Sequence, residues 1–166
     1  MSEIVTSRKM GATEPPRAIK PAFDARPHVQ DPTGAVVAWF TEPPGAIIQF
    51  ARPARGTTEL ARWLVGPATA ALQRRFPIES RLVLVLDLTL MDGRDAGARA
   101  LLHESAKDNK GRVARSFVIP PKKASATYLS ALQVSATLLR VFGVRVEVES
   151  SLASVFASCP LRVAGP

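Results

Sequence analysis

Apolar and polar positions along this chain follow two rhythms, one of strands and one of helices. The runs AVVAWF from Ala35 and AIIQF from Ala46 are rich in β-branched and aromatic residues, and the turn-forming TEPPG between them predicts an opening hairpin. After ARPARG, Thr57 or Thr58 is placed to cap a helix with Leu60, Trp63, Leu64, Ala68, Ala71 and Leu72 on one stripe, which Gly66-Pro67 should kink or split. RLVLVLDLTL, residues 81–90, is almost continuously apolar, as expected of a central strand covered on both faces. Asp92 and Asp95 form a capping-box pattern ahead of a helix carrying Ala98, Leu101, Leu102 and Ser105, so a helix is expected directly after the core strand.

VARSFVIP predicts a further strand, stopped by Pro120-Pro121. Ser125 opens a helix with Tyr128, Leu129, Leu132, Ala136 and Leu139 inward, and Gly143 suits its C-terminal stop. VRVEVE alternates strictly, with Val144, Val146 and Val148 on one face, and Ser150 or Ser151 then caps a short helix carrying Leu152, Val155 and Phe156. The order β-β-α-β-α-β-α-β-α predicts an α/β domain with a largely parallel sheet, right-handed crossovers and an antiparallel edge from the hairpin. Pro15, Pro16, Pro21, Pro27 and Pro32 without apolar periodicity set residues 1–34 apart as a flexible arm. Residues 35–160 are expected to form one domain, and 161–166 a tail.

Composition adds bounds. The single cysteine, Cys159, excludes an intrachain disulfide and points to a reducing, cytoplasmic setting. No apolar run reaches the ~18 residues of a membrane span, and the start has no export signal. Of the formal charge of +8, the arm holds five cations against four acids, so nearly all the excess lies in the body and favours acidic partners.

The core strand RLVLVLDLT feeding MDGRDAGARALL, together with the later LLRVFGVRVEV, resembles the STAS domain of anti-sigma factor antagonists and its SpoIIAA-like and Sec14-like relatives. Leu86, Asp87 and Leu88 match the family's strand, and Asp92 matches the aspartate of its loop. The resemblance implies a STAS-like mixed sheet and a non-enzymatic regulatory module of bacterial signalling that docks a protein partner through Asp92, Gly93, Arg94, Asp95 and Arg99. The family's phosphorylated loop serine has no counterpart, because no serine or threonine lies between Thr89 and Ser105.

Other chemistry is sparse. His28 and His103 have no metal-binding spacing around them and read as surface histidines, Cys159 has no CxxC or histidine partner, and GxxxxGK[ST], GxGxxG and GxSxG are absent, so neither catalysis nor a cofactor is expected. Asp87, Asp92 and Asp95 read as capping residues before they read as a Mg²⁺ site. Lys107, Lys110, Arg112, Arg115, Lys122 and Lys123 are the main basic concentration and offer an alternative function as a nucleic-acid or anionic-surface binder. A second alternative, from the Sec14-like relatives, is a small apolar ligand held between sheet and helices and lined by Trp63, Leu64 or Tyr128.

Overall fold

A computed structural model describes residues 20–141 and 143–165. In chain order the elements are β1 (Val29–Gln30), β2 (Val36–Glu42), β3 (Gly45–Phe50), β4 (Ala54–Gly56), α1 (Thr58–Trp63), a π-helical turn (Leu64–Ala68) and α2 (Thr69–Arg75). There follow β5 (Leu82–Asp87), β6 (Met91–Arg94), α3 (Ala96–Asp108), β7 (Val113–Ile119), α4 (Ala126–Val141), β8 (Val146–Val148), α5 (Leu152–Ser158) and β9 (Arg162–Val163).

The fold is mixed α/β around a mostly parallel sheet ordered β1-β2-β3-β5-β7-β8, with β9 also on β2. The predicted hairpin forms as β2 and β3, antiparallel from Val36 opposite Phe50 to Thr41 opposite Gly45. From β3 onward every pair is parallel and each crossover steps the same way, so right-handed connections place α1–α2, α3 and α4 on one face. Alternation along β5 divides the core accordingly. Leu82 and Leu84 pack with Leu72 and Phe76, and Leu86 with Leu60 and Met91, whereas Val83 and Val85 pack with Phe117, Ile119 and Val155 beneath α5.

Local signals hold at several boundaries. The Thr57 side chain accepts from Leu60 N at 3.2 Å, and Ser151 and Ser154 complete a capping box. Gly143 sits at φ +82°, the left-handed stop after a helix. Pro67 has no N–H to donate, and the helix widens into the π turn around it while the Thr69 hydroxyl donates to Leu64 O at 2.7 Å.

The structure corrects five expectations. The hairpin is not the sheet edge, because both β1 and β9 pair with β2 on its outer side. The folded unit therefore extends into the expected arm and tail. Ala22 N donates to Gln49 Oε1 at 3.0 Å, Trp39 Nε1 donates to Ala25 O at 2.8 Å, and Ala164 N donates to Phe40 O at 2.8 Å. Residues 1–19 of the arm and residue 166 of the tail lie outside the described residues. The core strand does not lead directly to a helix: β6 intervenes and pairs in parallel with β4. The capping box at Asp92 and Asp95 does not form, because Asp92 belongs to β6 and the Asp95 carboxylate accepts from Arg55 Nε at 2.9 Å instead of capping α3. Finally, His28 is no free surface histidine. Its Nδ1 accepts from Phe40 N at 3.1 Å and its ring stacks on Phe40.

Candidate functional site

The helical face of the sheet is incompletely filled. Leu82, Leu84 and Leu86 of β5 and Val118 of β7 form an aliphatic floor, and small side chains stand over or within it: Thr69 on α2, Ser105 and Ala106 on α3, and Ser116 on β7. Side chains this short cannot close the distance between a helix and the sheet, so a cavity of about 250 Å³ remains. Leu64 and Leu72 wall one side, Leu102 another, and Leu139 and Val144 a third.

Most polar groups around the cavity already have partners. Asn109 Nδ2 donates to Ser105 O at 2.9 Å, and the Arg112 guanidinium donates to both Phe76 O and Pro77 O at 3.0 Å, tying the end of α2 to the start of β7. Arg112 Nε, by contrast, is buried without a partner among the described residues. The Ser116 hydroxyl, on the floor, also has no hydrogen bond among the described residues. A second, more polar hollow of about 420 Å³ shares Val65, Thr69, Gln73, Ser105 and Asn109 with the first and adds Glu104 and Asp108 at its rim. These shared residues make a polar mouth between the π turn and α3, leading to an apolar interior.

Of the residues expected to line such a cavity, Leu64 does so; Trp63 and Tyr128 pack instead with Phe50, Leu88 and Met91. Tyr128 lies beneath the Arg94 guanidinium at 5.5 Å, and its hydroxyl is buried without a partner among the described residues. Asp92, Gly93 and Arg99 are exposed and Arg94 and Asp95 half-buried, all at the C-terminal end of β5. The basic run does not gather. Lys107, Lys110 and Arg112 precede β7 and Lys122 and Lys123 follow it, so about 20 Å of strand separates them. Arg115 points to the opposite face, lies 4.6 Å from the Phe117 ring centroid and pairs doubly with Glu147 at 3.0 and 3.1 Å.

Asp87, Asp92 and Asp95 do not converge either, and no group of three His, Cys, Asp or Glu side chains placed to hold a metal occurs among the described residues. Asp87 is buried and accepts from Gln49 Nε2 at 2.9 Å and from the backbone and hydroxyl of Thr89, which joins β3 to the end of β5.

No protein-family model, curated protein or solved structure matches the chain.

The site therefore rests on its own geometry, and sequence reasoning missed most of its lining. Ser116 carried a signal, as a small polar residue at a sheet position facing the helices, between Arg115 and Phe117 of the other face. Ser105 carried another, on the inward stripe of its helix. That the two would stand across a gap depended on the crossover geometry.

Proposed function

We propose that this domain binds a small apolar ligand between the leucine floor of the sheet and the helices above it. The observation that carries the reading is the cavity of about 250 Å³, largely aliphatic inside with Ser116 on its floor, and more polar at its mouth. An engineered dry cavity of ~150 Å³ already takes benzene, so this one has room for a larger aromatic or branched aliphatic body. The groups at Gln73, Ser105 and Asn109 would receive a polar end, and the Ser116 hydroxyl a single acceptor or donor inside.

The test is solvent extraction and mass spectrometry of protein purified from its own cells, followed by titration with an environment-sensitive apolar fluorophore. Ser116→Phe and Ala106→Leu each fill the cavity, at an overpacking cost of about 1–3 kcal/mol. With the fold retained by circular dichroism, probe affinity should fall at least tenfold. Undiminished affinity in both variants would rule the cavity out as the binding site.

A second reading is the STAS-like module that docks a protein partner at Asp92, Gly93, Arg94, Asp95 and Arg99. Supporting it are the exposure of Asp92, Gly93 and Arg99 and their position at the C-terminal end of a parallel strand, where such sheets commonly present binding loops. Arg94→Glu and Arg99→Glu should each weaken a co-purified protein partner about tenfold without lowering the melting temperature by more than a few degrees. Unchanged affinity in both would exclude this docking surface.

A further inference from the structure

Helix α4 presents apolar residues on both of its sides. Its inner side buries Ala136 against Val144 and Val146. Its outer side leaves Val134, Leu138 and Val141 at 60%, 53% and 78% exposure, with Thr127 and Ala131 exposed in line with them. The steps from Thr127 to Ala131, Val134, Leu138 and Val141 are four, three, four and three residues, the spacing of a seam that packs against another helix. An apolar stripe of this length on the outer side of a helix is ordinarily covered. Nothing among the described residues covers this one.

We infer that the outer face of α4 pairs with α4 of a second copy of this chain, the two helices running antiparallel about a two-fold axis at Val134. Two features favour a second copy over other occupants. The first is charge. The chain carries +8, yet α4 has no charged side chain before Arg140, so this is a face on which two equally charged copies can meet without opposing cations along the contact. The second is bulk. Thr127, Ser130 and Ala131 are small and lie in the first half of the helix, while Leu138 and Val141 lie in the second. Antiparallel pairing about Val134 sets Leu138 against Ser130 and Ala131 of the other copy and Val141 against Thr127, so large meets small on either side of a central Val134 pair. A parallel pair would set large on large at one end and leave a gap at the other.

The contact is small. A 16-residue helix is about 24 Å long and about 10 Å wide, well short of the ~800 Å² each partner contributes to a stable interface. The dimer is therefore reversible and concentration-dependent. Because cations elsewhere on the two copies repel, it tightens as salt screens them, whereas attachment to an anionic surface loosens.

Sedimentation velocity of the full chain tests this from roughly 10 to 500 µM, in 0.05 and 0.5 M NaCl. Expected is a weight-average mass rising from 17.8 kDa toward twice that value, more steeply at the higher salt. Val134→Glu should return the protein to monomer. Ala131→Trp should do the same without adding charge, because it removes the recess that takes Leu138; added apolar area would strengthen any unspecific association. In a Cys159→Ser background, Val134→Cys should oxidise to a covalent dimer much faster than Leu138→Cys. A monomer under all conditions overturns the inference, as does a dimer that Ala131→Trp leaves intact. Binding to vesicles of phosphatidylcholine with one quarter phosphatidylglycerol that is lost in Val134→Glu also overturns it, by assigning the face to a membrane.

Discussion

Glu147 is held between two guanidinium groups, Arg115 and Arg145, in a partly buried position on β8. Its hydrogen bonds to Arg115 hold its carboxyl below the usual range despite the opposing effect of burial. A depressed folded value means that the stabilisation is fully present above the ordinary carboxylate pKa and is lost as pH falls through the folded one. Glu147→Gln should therefore be less stable than the parent by about 1 kcal/mol at pH 7, with the difference closing below about pH 4. Thermal melts from pH 7 to 3 check this, and a gap that is constant with pH would deny the ion pair its role. Asp31 behaves alike: burial would raise its pKa, but hydrogen bonds from Thr33 and from the backbone of Val36 win and lower it. Signals confined to a few neighbouring residues were readable from the sequence, as the caps at Thr57 and Ser151 and the stop at Gly143 demonstrate. Asp95 was misassigned because its partner, Arg55, is 40 residues away, and no local pattern announces such a pair.

Elements were legible in proportion to their length and apolar content. The hairpin, the core strand and the helices follow from periodicity. β1, β4, β6 and β9, each of two to four residues, bury too little for any pattern to mark them. The tightest junction between elements is at Gly45. A Cβ there would lie 1.9 Å from Val83 O, where β3 meets β5 and Pro44 O accepts from Val83 N at 2.9 Å. Gly45→Ala must push the two strands apart, and a loss of more than about 3 kcal/mol is expected, because backbone on both sides leaves no flexible side chain to yield. Urea denaturation measures it; a loss under 1 kcal/mol would mean that the sheet opens more easily at this point than its packing implies.

At the scale of the whole molecule, the mixed α/β class and the mostly parallel sheet were readable because parallel strands and crossover helices impose different rhythms. The cavity was not, since it arises where short side chains from several elements stop short of one another. Nor was the scattering of the basic run, which is contiguous in sequence but is carried by β7 to opposite ends of the sheet and onto both of its faces. The pairing of β1 and β9 with β2 has a consequence for how the chain is threaded. β9 runs beside Glu42 and Thr41, and β1 continues in the same direction beside Ala38 and Val37. Ala164 and His28 bond to Phe40 O and Ala38 O between them. β1, near the beginning of the folded unit, and β9, near its end, are thus two segments of one interrupted strand. A linker joining residue 165 to residue 20 would close the fold into a ring, whose opening could equally be placed at the exposed Lys110 and Gly111.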